Sequence, residues 1–335
     1  MKRNLKLEKL IPFILLVILL ILPFILTTNY YKNLGVTVFM YCFFAVCWNW
    51  IGGLAGQFAL GNSLYIGIGA YTYALMALKG YTPFHAVPVA VFLSCVMALI
   101  VSKLCFRLSG TYFAQATVAF LFIARYLMVG TNTFLGMQTN GGNGVMIKWL
   151  GKHSMLQFRN KSVYYYIFLG LLIIGILITK KVMESKMGYY LAAIRTNQGA
   201  AATIGVPVQR YKTYAQLMCA TGMAIGGILY AVITMVVEPY TILGYDLSLQ
   251  IMIFCVVGGK GTLWGPVVGA AFLTLFKEVV RVNMGANVAP LCLVLFGVLL
   301  IISVMYAPSG IVGLAETLKK KYLQKPDRKE VDSND

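Results

Sequence analysis

The sequence predicts an all-α polytopic membrane protein of about ten transmembrane helices, some of them short or broken. Three observations carry that expectation. Hydrophobic residues make up 59% of the 335-residue chain and charged residues only 11%, with a mean hydropathy of +0.79. A soluble domain is about 45–50% apolar and roughly 25% charged, so no soluble core would hold this much apolar side chain, and disorder is excluded by the same figures. Apolar runs close to the ~20 residues that a helix needs to span the hydrocarbon core recur along the chain. Lys and Arg total 28 against 10 Asp and Glu, a net charge of +18. In a chain of this hydropathy that excess fits the inner loops of a membrane protein rather than a nucleic-acid partner.

The runs follow in order. The first, 11–28, comes after Lys2, Arg3, Lys6 and Lys9 and is longer than the ~7–15 residues of a signal peptide's apolar region. With no small-x-small cleavage site at Thr27, Thr28 and Asn29, it is expected to remain as a first span. The others are 35–54, 63–78, 84–106, 112–130, 164–179, 214–237, 248–258, 265–282 and 288–307. Segment 248–258 is too short to cross alone, and 52–61 is a glycine-rich polar break between spans. Non-helical backbone survives at membrane depth only where protein or a water-filled cavity satisfies it, so these two regions are expected to face a pathway. Gly52, Gly53, Gly56 and Gly61 share a spacing pattern with Gly258, Gly259, Gly261 and Gly265 about 206 residues on. A duplicated unit and chance both account for it.

Basic residues set the expected orientation. With both ends cytoplasmic, the inner segments take the N-terminal cluster, Lys103 and Arg107, the run from Lys180 to Lys212, Lys260, and the run from Lys319 to Lys329. The outer loops take Lys32, Lys79, Lys148, Lys152, Arg159 and Lys161, and the last four run against the trend. The expected organisation is a cytoplasmic tail 1–10, a membrane domain 11–313 with an external loop 131–163 and a cytoplasmic loop 180–212, and a cytoplasmic tail 314–335.

No catalytic or metal-binding constellation is present in the sequence. His85 and His153 have no acid or cysteine at ligand spacing, and the seven cysteines lie in apolar runs without a C-x-x-C pair. Gly258-Gly259-Lys260-Gly261-Thr262 glances at a phosphate loop, but Gly261 stands where Ser or Thr would reach Mg²⁺. The chain is therefore expected to bind no cofactor and hydrolyse no ATP. Glu278 is the one acid well inside a proposed span, and Arg281 lies three residues on, where a helix pairs them. A proton relay has little to work with.

The loop 180–212 carries the most information. Residues 188–198 favour helix, with Leu191, Ile194 and Gln198 on one face. A second run, Ala200 to Ile204, stops at Gly205 with Pro207 beyond. Such a helix fits a groove on a partner, and equally fits an interfacial helix lying on headgroups.

Here the sequence resembles a family. Segment 185–202, through Ser185, Gly188, Ala193-Ile194-Arg195, Asn197 and Ala200-Ala201, resembles the cytoplasmic signature of branched-chain amino acid ABC permeases. Further resemblances follow in chain order. They are Asn49 with Gly52-Gly53-Leu54-Ala55-Gly56-Gln57 and Leu60-Gly61, Gly67-Ile68-Gly69-Ala70-Tyr71, and Arg107-Leu108-Ser109-Gly110-Thr111-Tyr112-Phe113-Ala114. Asn140-Gly141-Gly142-Asn143-Gly144, Glu238-Pro239, Gly258 through Ala270, and Pro308-Ser309-Gly310 complete the set, and the LivM-like subtype is the most similar. The chain departs from that pattern at Asn62, where the family often has His, and at Phe122, where an acid commonly precedes Arg125 by three residues. It departs again at Gln198, where Glu is displaced. The first two bear on the solute.

The resemblance implies the permease of a type II ABC importer in a prokaryotic plasma membrane. It implies a second, LivH-like permease, two cytoplasmic ATPases that hold ATP and Mg²⁺, and an external substrate-binding protein. It also implies a coupling contact through Leu191, Ile194, Arg195, Asn197, Ala201 and Gly205. The pathway candidates Asn49, Gln57, Asn62, Gln115 and Gln250 are polar groups in or beside apolar spans, for which helix-to-helix hydrogen bonds are the other reading. Branched-chain amino acids are the expected solute. Urea or another small amide, and a stand-alone channel, are the alternatives.

Overall fold

The computed structural model describes residues 19–23, residues 28–284 apart from 109, 135, 150 and 152–154, and scattered positions between 294 and 313. Most of the expected first span, all but isolated positions of the tenth (288–307), and the tails 1–10 and 314–335 lie outside the described residues.

Each of the eight spans expected between them is helical. Helix α1 (Asn29–Asn49) runs directly into a π-helical turn, Trp50–Leu54. It has apolar side chains all round and no polar face, as a helix surrounded by protein should. Short α2 (Ser63–Leu78) is followed by α3 (Pro83–Cys105), which opens on proline, and by α4 (Thr111–Gly130). The region after α4 holds a small hairpin of β1 (Thr133–Phe134) and β2 (Met137–Gln138), a 3₁₀ turn at Gly141–Asn143, and β3 (Val145–Met146).

Helix α5 (Lys161–Met183) starts where the Asn160 side chain accepts from the Ser162 amide. Two short helices, α6 (Lys186–Thr196) and α7 (Gln198–Thr203), precede the long α8 (Val208–Thr234). Strand β4 (Val236–Val237) then pairs antiparallel with β3, tying the loop after α4 to the end of α8. A broken span of α9 (Pro239–Ile242) and α10 (Tyr245–Gly259) leads to α11 (Gly265–Met284).

Six of these segments are long and apolar enough to cross a bilayer, with α2 shorter. In the most apolar stretch of the central helix α1 and its π turn 78% of the residues are buried, against only 22% in that of α4. The bundle is thus organised around α1, with α5, α11, α8 and α10 packed against it, while α3, α4 and the far side of α5 present apolar faces outward. Polar pairs join the helices: Trp50 Nε1 donates to Thr179 Oγ1 (2.7 Å), Gln216 Nε2 to the Tyr65 hydroxyl (2.8 Å), and Ser94 Oγ to the Ala220 carbonyl (2.9 Å). In membranes each such bond contributes about 0.6 kcal/mol on average.

The expected loop 180–212 is shorter than the sequence suggested, because α5 continues to Met183 and α8 begins at Val208. A lysine ends an apolar run but does not end a helix, since its stem packs while its ammonium finds a partner. Lys212, 1% exposed, donates to Gln198 Oε1 at 2.5 Å and lies over the Phe106 ring.

Candidate functional site

At the end of the bundle where α8 begins, the two glycine-rich breaks meet. Asn49, the last residue of α1, is fully buried and makes the junction. Its Nδ2 donates to the Thr262 carbonyl (3.0 Å), and its Oδ1 accepts from the Gly261 amide (2.7 Å) and the Cys255 thiol (3.5 Å). The π turn passes close beneath. A Cβ on Gly53 would strike Asn49 Oδ1 and come within 2.5 Å of the Gly261 nitrogen. Gly261 itself has φ +75, a left-handed backbone that glycine adopts readily.

Arg195, in the last turn of α6, closes this junction. Its Nη1 donates to the Gly53 carbonyl (3.1 Å) and lies where a Cβ on Gly261 would have to be. The carbonyl is open to it because Gly53 lies in the last turn of the helix, where carbonyls have no intrahelical donor, and π turns recur at functional sites. From the other side, Lys260 Nζ lies 4.5 Å from the centre of the Phe58 ring. Burial first, and the neighbouring Arg195 charge second, hold the Lys260 ammonium below the usual lysine value.

The second half of the first break is pinned as well. The Ala59 carbonyl accepts from both Trp48 Nε1 (2.8 Å) and Asn62 Nδ2 (2.9 Å), and the Leu60 amide donates to Thr117 Oγ1 (3.1 Å). Non-helical backbone at this depth is therefore satisfied by protein.

The loop carrying Arg195 has its own small core. Ile194, Ala201, Val206 and Val208 are buried together against Tyr190, Ala193 and Tyr211. Asn197 ends α6 and caps α7, its Oδ1 accepting from the Ala200 amide at 3.1 Å. Leu191 is buried in the main core. Of the six residues expected to couple, Leu191, Ile194 and Ala201 thus face this chain's own interior. Arg195 reaches inward to Gly53, and Asn197 and Gly205 are exposed. The outward surface is formed by Tyr189 (71% exposed), Ile204 (77% exposed) and the polar turn between them.

The five pathway candidates separate in the same way. Asn49 and Asn62 are buried staples of the breaks. Gln57 is half-buried, with Nε2 no nearer than 3.4 Å to the Ala55 carbonyl. Gln115 is exposed on α4, and Gln250 is buried on α10 with its Nε2 donor unpaired. Sequence reasoning missed the meeting of the two breaks, although their matched glycine spacing was the available signal.

Among the described residues, no three His, Cys, Asp or Glu side chains gather as a metal site. The described residues thus form a helical membrane bundle with a broken span, pinned breaks and a two-helix loop at one end. The chain belongs to the family described as the permease component of the branched-chain amino acid transport system, whose model matches residues 30–304. It is 22% identical, over 91% of its length and 75% of theirs, to the high-affinity branched-chain amino acid transport system permease proteins LivM of Salmonella typhimurium and Escherichia coli. It is 23% identical over 48% of its length, and 51% of the relative's, to the probable branched-chain amino acid transport permease protein LivM of Methanocaldococcus jannaschii. No solved structure matches the chain significantly. The protein is a multi-pass transport permease of the prokaryotic plasma membrane.

Proposed function

We propose that this permease is one membrane half of an ATP-driven importer of branched-chain amino acids. It works with a second permease, two cytoplasmic ATPases that bind ATP and Mg²⁺, and an external binding protein. The observation that carries this reading is the Arg195 contact with the Gly53 carbonyl, which links the loop to both breaks in the membrane domain.

The α6–α7 loop lies on the cytoplasmic side, and its exposed Tyr189 and Ile204 enter a cleft on an ATPase. Leu191, Ile194 and Ala201 hold the loop rigid, Asn197 fixes the angle between its helices, and Gly205 turns the chain into α8. When the ATPases close, the loop moves as a unit. Arg195 passes that displacement to the π turn and, through Asn49, to the α10–α11 junction. ATP binding thereby favours one access state over the other, and the solute moves because the two states differ in stability. Gln57, Gln115 and Gln250 offer the solute polar contacts, while Asn49 and Asn62 hold the breaks in shape.

Affinity purification of this chain from its native membranes, with co-purifying proteins identified by mass spectrometry, tests the reading. It predicts two ATPases and a second permease. Recovery of this chain alone, in a detergent that keeps other ABC transporters intact, would replace it with a stand-alone channel.

A further inference from the structure

The end of the bundle remote from Arg195 holds a cation that makes no salt bridge among the described residues. Arg125 lies in the last turns of α4, a helix read as spanning the membrane. Its guanidinium stacks at 4.7 Å from the centre of the Phe122 ring, 5.3 Å from Tyr126 and 5.7 Å from Tyr240. Its Nε is buried without a hydrogen-bond partner. Among the described residues the single salt bridge is Glu278 with Arg281, so Arg125 has no counter-ion within that reach. The nearby Glu238 carboxylate accepts instead from Thr241 Oγ1 (3.1 Å).

The cradle straddles the broken span. Tyr240 is on α9, and Phe122 also packs on Tyr245 at the start of α10. The 3₁₀ turn at Gly141–Asn143 closes over it: a Cβ on Gly142 would lie 3.5 Å from Tyr240, and one on Gly141 would lie 2.8 Å from the Val129 carbonyl of α4. Charged groups at membrane depth mark solute routes, and broken helices build solute sites. Three aromatic faces hold a guanidinium in place but satisfy none of its N–H donors. A carboxylate accepts from two of those donors at once.

We propose that Arg125 receives the carboxylate of the amino acid at the outer end of the pathway, with Phe122, Tyr126 and Tyr240 orienting the guanidinium. Phe122 is part of the device: an acid at that position would neutralise Arg125 from the preceding turn of the helix. The solute is the source of the carboxylate because Arg125 and Phe122 are half-buried and the Arg125 Nε is closed to water, while the exposed rings of Tyr126 (61%) and Tyr240 (55%) leave a way in. That geometry suits a small molecule entering it better than an acidic residue on a flat partner surface. This proposal rests on the importer reading above.

The test uses the whole complex in proteoliposomes with leucine-loaded binding protein. For Arg125→Gln the proposal expects leucine uptake to fall at least tenfold while binding-protein-stimulated ATP hydrolysis stays within twofold of wild type, and Arg125→Lys to recover part of the uptake. Unchanged uptake in Arg125→Gln overturns the proposal. Loss of stimulated ATP hydrolysis together with uptake also overturns it, because the carboxylate would then belong to the docked protein. Should Arg125→Gln fail to assemble, wild-type complex is treated with phenylglyoxal and modification of Arg125 is followed by mass spectrometry. Protection of at least fivefold by leucine, and none by 3-methylbutylamine, supports the assignment, and equal modification with and without leucine overturns it. Wild-type complex that takes up no leucine would sink the importer reading, whereas leucine protection of Arg125 would still stand as evidence of a carboxylate site.

Discussion

At the scale of single residues, the breaks work because side chains are absent where two backbones cross. Gly261→Ala places a methyl against Arg195 and within 2.9 Å of the Gly53 carbonyl, on a backbone with φ +75. Uptake is expected to fall at least tenfold in this variant while membrane insertion, read by immunoblot, is unchanged. Asn49→Ala leaves the half-buried Gly261 amide without its acceptor, a loss of about 1–3 kcal/mol. Thermal melting of the purified complex reads that loss.

Lys260 reports on the same junction through its titration. Burial and Arg195 both depress its pKa, so Arg195→Ala removes the second cause and moves the Lys260 midpoint upward. The pH dependence of amine labelling at Lys260, followed by mass spectrometry, shows the shift as a midpoint at higher pH than in wild type. Arg195 itself shows how far a sequence can be read. The A-I-R motif marks it and the resemblance implies contact with a partner, but a motif does not tell what lies opposite a side chain. The opposing carbonyl comes from a residue 142 positions away.

At the scale of elements, the α6–α7 unit is stabilised by packing more than by propensity, since helices this short are marginal alone. Asn197→Ala removes the α7 cap and costs about 1 kcal/mol. Hydrogen exchange in residues 198–204 should therefore quicken about fivefold, with little change in α8. Ile194→Ala opens the loop's small core and should raise exchange across both short helices.

Helix identity was legible because bilayer thickness sets a length scale that apolar runs reveal directly. The span 63–78 coincides with α2, and the short run 248–258 lies within α10 of the broken span. The ends of the 180–212 loop were not legible, because hydropathy falls at Lys180 while backbone hydrogen bonding continues to Met183. The small β3–β4 pair was hidden too, since two residues per strand give no alternation to detect.

At the scale of the whole molecule, α8 links the two ends. Its 27 residues extend about 40 Å, from the loop core at Val208 to the β3–β4 pair beside the outer turn. A displacement at the loop therefore has a stiff element along which to reach the Arg125 end, in addition to the relay through Arg195. The weakly buried faces of α3, α4 and α5 are the surfaces left for lipid and, in the proposed importer, for the second permease.

In the proposed importer, Arg195 is the relay between the loop that meets the ATPase and the membrane breaks. ATP-dependent leucine uptake and ATP hydrolysis, measured together on reconstituted wild-type and Arg195→Ala complexes, test it most directly. The relay predicts that Arg195→Ala assembles with its ATPases and hydrolyses ATP, yet moves less than a tenth of the leucine per ATP. Equal leucine moved per ATP in the two complexes would contradict it.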